Sequence, residues 1–275
     1  MEFKRCLIGL VVILFLFVLY TFLKQKSSNS CQKEIYETKE RDNFRNKNWT
    51  ILMTVNDAYF DFFQNWIHFY QKLQTKYPLI VIAEDDVVFL KLRQLNGNSL
   101  FTLVRSLRTS HRSAVVYGSK GFNELASGRP TYILKYLERG TNILYADTDS
   151  VWLHDPVPYF QGQYDMWMQL DSPRNLCTGL MAIKSNNESI KLMRLWEASL
   201  KERLDIDQTA FNKVYRNSTI HLKPLDRSLF PSGNLYFDQF SDAKRKNVII
   251  VHNNYIKGHE KKLQRFENFK LWFSN

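Results

Sequence analysis

Residues 142–156 read NILYADTDSVWLHDP, and this stretch decides the fold. The apolar run Ile143-Leu144-Tyr145-Ala146 goes straight into Asp147-Thr148-Asp149, with Val151-Trp152-Leu153 close behind. Carboxylates are costly to bury without partners, so two of them at the end of an apolar strand need a use there. Upstream, RPTYILKYLERG at 129–140 carries Pro130 near its start and Gly140 past its end, which is helix punctuation. Before it lie a strand pattern in WTILMTV (49–55), helical spacing in DAYFDFFQNWIHFYQKLQ (57–74), a short apolar run in YPLIVIA (77–83) and a strand pattern in SAVVYG (113–118). Strands alternating with helices predict an α/β fold with a parallel sheet. Such sheets take ligands at the carboxyl ends of their strands. Asn56-Asp57, Glu84-Asp85-Asp86 and Asp147-Thr148-Asp149 all fall at such ends, so topology alone gathers acidic residues on one edge. The triplet Glu84-Asp85-Asp86 reads as a strand end capped by solvent-facing carboxylates.

Downstream of that stretch the pattern is less regular. YDMWMQL (164–170) and TGLMAIKS (178–185) read as strands, and ESIKLMRLWEASLKERL (188–204) as an amphipathic helix. NVIIVHNNYIKGHEKK (247–262) is a strand running into His252 and a basic, glycine-containing loop. No internal repeat or low-complexity tract interrupts the chain.

The 275 residues allow one large domain or two small ones, and 44% hydrophobic content excludes a disordered chain. A net charge of +11 favours anionic partners. The basic residues are dispersed, which argues against nucleic acid. Residues 7–23 contain no charged residue. At about 1.5 Å per residue such a helix reaches across a thin membrane. No small-x-small cleavage site follows, so an uncleaved anchor is expected rather than a signal peptide. The predicted organisation is a tail at 1–5, a transmembrane anchor at 6–23, a polar stem at 24–46 and a folded body at 47–275. Lys4 and Arg5 balance Lys24 and Lys26, so flanking charge does not orient the anchor. Sequons at Asn48, Asn187 and Asn217 point to a lumenal body. Three cysteines are too few for a disulfide scaffold or a structural zinc site. Two readings stand open for them: a Cys31–Cys177 bridge, or a homodimer joined through Cys31.

A D-x-D at a strand end can hold a divalent cation, and its hard oxygens suit Mg²⁺ or Mn²⁺ bridging nucleotide phosphates. Spacing alone does not decide, because Asp205-Ile206-Asp207 repeats it after the charged end of a helix, where no metal role is expected. His252 also ends a strand, and imidazole suits Mn²⁺ better than Mg²⁺. Lys257 with Gly258 can neutralise a diphosphate, the glycine allowing close backbone approach; the competing reading of Lys257, Lys261 and Lys262 is a solvated basic face. ILYADTDSV also fits the opening D-x-D-x-[T/V] of haloacid-dehalogenase phosphatases. That motif normally starts its domain and is followed by an acidic pair. Here α/β sequence precedes it, and the Asp85-Asp86 pair lies upstream.

In order, VNDAY, RPTYILKYLERGTNILYADTDSVWLHDP, CTGLMAIKS, DQTAFN, LFPSGNLYF and VHNNYIKGHEKK resemble the retaining nucleotide-sugar glycosyltransferases of GT-A fold. The likeness is greatest to glycosyltransferase family 77, the plant cell-wall xylosyl- and arabinosyltransferases and their animal relatives. NDAY and the C-terminal His–Gly–Lys region are also similar to the glycogenin-type family. The resemblance extends over residues 49–273. It implies a mixed, Rossmann-like sheet with flanking helices behind one transmembrane helix, in a Golgi membrane protein of type II. It further implies a UDP-sugar donor, Mn²⁺ or Mg²⁺, a glycan or glycoprotein acceptor, and retention of anomeric configuration. Val55, Asn56 and Tyr59 would line the nucleotide pocket, Tyr59 stacking on uracil, and Arg129, Lys257 and Gly258 would lie along the diphosphate. Asp147 would contact ribose and metal, Asp149 would be the main metal ligand, and His252 would be the third. Asp171, Asp207 and Gln208 would face donor sugar and acceptor, Asp207 having the competing reading of a helix N-cap. The family often has Asn-Thr-Gly where this chain has Cys177-Thr178-Gly179. A body that binds nucleotide or glycan without turnover is the alternative of another class.

Overall fold

The computed structural model describes residues 49–97, 99–106 and 114–273. The expected tail, anchor and stem, with Cys31 and Asn48, lie outside them. Among the described residues no helix is long and apolar enough to cross a membrane.

Strand β1 (Trp49–Val55) leads through a 3₁₀ turn (Asp57–Tyr59) into helix α1 (Phe60–Lys72). Phe62, Phe63, Trp66, Ile67 and Tyr70 are buried along one face of α1, the helical spacing that the sequence predicts. Then come β2 (Leu79–Ala83), α2 (Asp86–Leu95), β3 (Thr102–Arg105), α3 (Lys120–Ala126), α4 (Arg129–Leu137), β4 (Asn142–Ala146) and β5 (Ser150–Trp152). The second half holds β6 (Met166–Ser172), β7 (Asn175–Ile183), α5 (Asn187–Glu202), α6 (Asp207–Tyr215), β8 (Leu222–Pro224), α7 (Gly233–Asp238), α8 (Asp242–Arg245), β9 (Ile250–His252) and α9 (His259–Asn268).

One sheet runs in the order β3-β2-β1-β4-β7-β6-β8, and β5 pairs with β9 in a separate ribbon. β3, β2, β1 and β4 are parallel, whereas β7 is antiparallel to both β4 and β6. The sheet is therefore mixed. After β1 the chain builds outward through β2 and β3, then returns to place β4 on the other side of β1. That reversal is a switch point, where the connections diverge and leave a crevice beyond the strand ends. Asn56 and Asp147, the residues directly after β1 and β4, flank it.

Two corrections to the sequence reading concern the edge beyond β2. SAVVYG is not a strand: residues 114–118 form a loop and turn with Val116 and Tyr117 exposed. The third strand is Thr102–Arg105, too short to stand out by composition. Nor are Glu84, Asp85 and Asp86 idle solvent-facing caps. Glu84 is buried and accepts from the Tyr132 hydroxyl at 3.0 Å. Asp85 accepts from the N–H of Val88 at 2.9 Å, capping α2, and from the N–H of Asp57 at 2.8 Å. Asp86 pairs with Arg105.

Leu52, Tyr145, Met168, Met181, Trp196 and Phe211 lie in a core shared by the sheet and the helices packed on it. A second cluster, including Phe62, Val151, Phe237, Val251 and Phe266, seats the β5–β9 ribbon against α1 and α9. Trp66 meets Trp152 edge-on at 5.3 Å between ring centroids. Such a contact is worth about 0.5–1.5 kcal/mol beyond the area it buries. This packing holds the end of β9 against the end of β4.

Candidate active site

The D-x-D turn is held by its backbone. The N–H of Asp147 donates to the Gly179 carbonyl at 2.9 Å, and Ser150 Oγ donates to the Asp147 carbonyl at 2.8 Å. β5 opens with Ser150 paired to His252, and the N–H of Asn253 donates to the Asp149 carbonyl at 2.9 Å. The ribbon thus carries His252 onto the two carboxylates from the far end of the sequence. One ligand atom from each of Asp147, Asp149 and His252 lies within 4.8 Å of the others. His252 Nε2 is 3.4 Å from Asp149 Oδ1 and 3.8 Å from Asp147 Oδ2.

The opposite ring nitrogen of His252 faces Gln169 Oε1 at 2.9 Å. The Gln169 amide nitrogen is already committed to the carbonyls of Pro231 at 2.7 Å and Phe230 at 3.3 Å. Gln169 can therefore only accept from the ring. Nδ1 carries a proton, and Nε2 turns toward the carboxylates in the orientation a cation needs. Gly179 makes room for this. A Cβ there would lie 2.5 Å from Asp147 Oδ2 and closer still to His252 Cε1. Two carboxylates and an imidazole around a cradle that a methyl group would fill make a donor set that fits Mn²⁺ or Mg²⁺.

Fixed positive charge adjoins the carboxylates. Lys262 on α9 is ion-paired to Asp149. Arg129, the first residue of α4, donates to Asp147 Oδ1 at 2.8 Å and to Thr178 Oγ1 at 3.0 Å, and it is ion-paired to Asp207. Thr178 Oγ1 in turn donates to Asp207 Oδ2 at 2.9 Å. Burial opposes charge on Asp149, but Lys262 and then His252 outweigh it and hold its carboxyl below the usual carboxylate range. Burial likewise opposes charge on His252, yet the Cys177 sulfur and the Asp149 carboxylate raise its pKa well above 6.5. For Asp207 burial wins over Arg129, and its pKa is raised.

A second group lies alongside. Gln208 donates to Asp171 Oδ2 at 3.2 Å and accepts from the N–H of Thr178 at 3.3 Å. Asn254 donates to Asp171 Oδ1 at 2.8 Å, and the Tyr255 hydroxyl to the Asp171 carbonyl at 2.8 Å. The helix-cap reading of Asp207 does not hold: Ile206 occupies the N-cap position of α6, and Asp207 turns inward to Arg129 and Thr178. Cys177 is a free, buried thiol 3.5 Å from His252 Nδ1; the bridge expected between it and Cys31 involves a residue outside the described ones.

Val55 and Asn56 are buried at the end of β1. Tyr59 sits in the 3₁₀ turn with its ring 5.6 Å from that of His259, and burial raises its pKa. Lys257 and Gly258 lie on the exposed rim, the ammonium of Lys257 5.8 Å from the Tyr117 ring centroid and Gly258 at φ 94° just before α9. The residues that sequence reasoning missed are Lys262, Gln169, Gly179 and Asn254. Lys262 had a signal in the helix that starts after Gly258, which turns it inward while Lys261 stays exposed. Gln169 and Asn254 had none, because their roles come from contacts across the fold.

A switch-point crevice lined by a carboxylate–imidazole triad, with Arg129 and Lys262 ion-paired to its carboxylates, is an arrangement that suits an α/β enzyme acting on an anionic substrate. Residues 75–266 match the sequence profile of the nucleotide-diphospho-sugar transferases, and the chain belongs to that family. It is 31% identical over 269 residues to UDP-D-xylose:L-fucose alpha-1,3-D-xylosyltransferase 3 of Arabidopsis thaliana, covering 86% of this chain and 70% of that one. It is 30% identical over 197 residues to UDP-galactose:fucoside alpha-3-galactosyltransferase of Dictyostelium discoideum, covering 59% of this chain and 30% of that one. Among solved structures it resembles the glycosyltransferase GlyE of Streptococcus pneumoniae with a TM-score of 0.54 and 14% identity, covering 84% of this chain and 61% of that one. The expected resemblance to the plant xylosyl- and arabinosyltransferases is borne out: the chain is a nucleotide-sugar glycosyltransferase related to them.

Proposed function

We propose that the chain transfers a sugar from a UDP-sugar to a hydroxyl of a fucose-bearing glycan or glycoprotein, with retention of anomeric configuration and with a divalent cation at Asp147, Asp149 and His252. The observation that carries this reading is the convergence of those three side chains at the switch point, with Lys262 and Arg129 beside them. UDP as the nucleotide and fucose as the acceptor are supported by the names of the two relatives above. The lumenal Golgi setting is supported by the uncharged run at 7–23 and by the sequons Asn187 and Asn217, both on the exposed surface.

Cleaving the anomeric C–O bond leaves negative charge on the departing diphosphate. When bound, Mn²⁺ supplies Lewis-acid stabilisation of that charge. Lys262 and Arg129 add fixed positive charge in a site where burial strengthens it. Tyr59 and Asn56 hold the base end, and Asp207 with Gln208 orients the sugar. No carboxylate stands apart from the network as a nucleophile among the described residues. A front-face substitution follows, with the departing phosphate taking the acceptor proton.

The test is the thermal midpoint of the protein with UDP, with Mn²⁺ and with both, followed by hydrolysis of UDP-xylose and UDP-galactose. A ligand present at a hundred times its Kd stabilises the folded state by about 2.7 kcal/mol. A shift that needs both UDP and Mn²⁺ is expected. A folded protein that responds to neither would sink the assignment.

A further inference from the structure

Two large side chains stand exposed beside the Asp171–Asp207 group, Tyr117 at 46% and Tyr255 at 50%. Tyr255 has φ 60°, in the left-handed region that non-glycine residues rarely occupy. Strain of that kind persists where the surroundings fix it. Here the hydroxyl is tied to the Asp171 carbonyl, and the preceding residue, Asn254, is tied to the Asp171 carboxylate. The tip of Tyr255 is anchored while much of its ring stays open to solvent.

Tyr117 reaches the same place from another segment. Gly118, at φ 80°, packs its turn against Ile206, the residue before Asp207; a Cβ at Gly118 would lie 3.5 Å from Ile206 Cδ1. Lys257, two residues after Tyr255, sets its ammonium 5.8 Å from the Tyr117 ring centroid. Burial, followed by the charges of Asp207 and Asp171, pushes the Tyr117 hydroxyl up to about 12.

The result is a polar group of Asp171 and Gln208 with the part-exposed rings of Tyr117 and Tyr255 beside it. A pyranose has matching chemistry: C–H-rich faces for the rings and hydroxyls for the carboxylate and amide. A fucoside is the pyranose that the transferase reading supplies. We propose that Tyr117 and Tyr255 form the acceptor platform and hold the fucoside so that its hydroxyl meets the donor sugar over Asp171 and Gln208. This rests on the transferase reading above and adds to it the residues that choose the acceptor.

The experiment is saturation-transfer NMR of methyl α-L-fucoside on the full chain holding UDP and Mg²⁺, with the UDP–Mn²⁺ thermal shift recorded for every variant. Wild type should transfer saturation to the fucoside methyl and ring protons. Tyr117→Ala and Tyr255→Ala should each weaken fucoside binding by about 2- to 10-fold, the range of a lost aromatic contact, with the UDP–Mn²⁺ shift intact. Tyr117→Phe and Tyr255→Phe keep the ring and should keep binding within about twofold. The platform is overturned if wild type shows the UDP–Mn²⁺ shift without fucoside contact. It is equally overturned if the alanine variants bind fucoside as wild type does, or lose UDP instead. Absence of any UDP–Mn²⁺ shift in wild type is a separate result and would overturn the transferase reading itself.

Discussion

The chain contains the same acidic spacing twice, and the two copies do opposite things. Asp147 and Asp149 leave strand β4 at the switch point, and both carboxylates come within 3.8 Å of His252 Nε2. Asp205 and Asp207 straddle the start of α6. Asp205 stays outside, accepting from its neighbour's N–H, that of Ile206, at 2.8 Å and pairing with Lys213 at 3.0 Å. Asp207 turns inward to Arg129 and Thr178. The turn between β4 and β5 brings the first pair together, held by Gly179 and Ser150, whereas the start of a helix sends the second pair apart. Spacing acquires chemical meaning only from the backbone beneath it. The electrostatics follow: Asp149, set between Lys262 and His252, is held ionised, whereas burial around Asp207 outweighs its one arginine.

The comparison breaks most visibly at Asp149. Asp149→Ala removes one of the three proposed cation donors and leaves Lys262 and His252 without their shared counter-charge. Metal-dependent turnover should fall on the order of a thousand-fold or more, and the UDP–Mn²⁺ thermal shift should vanish. Turnover that survives would strip the first copy of its metal role. Next in size is Asp207→Ala, which leaves Arg129 with Asp147 alone. Breaking a buried ion pair typically costs about 3–5 kcal/mol, read as a lower urea midpoint. Turnover should be lost too, but the UDP–Mn²⁺ shift should remain. If that shift disappears from folded protein, the two copies share one task and the contrast fails.

Titration sharpens the same contrast. In metal-free protein the folded pKa of His252 lies above 6.5, so its stabilising contribution is complete below 6.5 and fades as pH rises through the folded value. Asp149 runs the other way: its folded pKa lies below 3.8, so its contribution is complete above 3.8 and fades as pH falls. Binding a cation requires neutral Nε2 on His252, so apparent Mn²⁺ affinity should drop up to about tenfold per pH unit on acidification. Mn²⁺ titrations between about pH 6 and pH 8.5 measure this slope. His252→Gln should bind more weakly and lose the slope; a slope unchanged in that variant would assign the proton to another group.

How much of this was legible in advance depended on whether a signal was local. The step from Ile143-Leu144-Tyr145-Ala146 to Asp147 is abrupt, and so is the step from Val251 to His252; both strand ends could be read directly. The parallel β1–β4 core was legible for the same reason. SAVVYG misled because Val115, Val116 and Tyr117 have strand-forming side chains, whereas the true edge strand, Thr102–Arg105, is short and partly exposed. Glu84 looked superfluous because its partner, Tyr132, lies 48 residues away. Lys262 was hidden among lysines, since only the helix beginning after Gly258 selects which of them faces Asp149.

The smallest expected effect belongs to Asp205, and it tests the contrast from the quiet side. Its carboxylate is held low first by its hydrogen bond from Lys213 and then by the Ile206 N–H. Yet the Lys213 side chain is 59% exposed, and ion pairs that open to water are worth about 0–1 kcal/mol. Asp205→Ala should therefore lower the thermal midpoint by no more than a few degrees, the size of shift that about 1 kcal/mol produces in a domain of this size. Turnover, Mn²⁺ affinity and the pH slope should all match wild type, because Asp205 contacts neither His252 nor Arg129. A loss of metal affinity here would mean that the second spacing reaches the cation after all, through α6 and Asp207. An unchanged enzyme would show that, of four aspartates in two identical spacings, the fold commits three to chemistry and leaves the fourth to the surface.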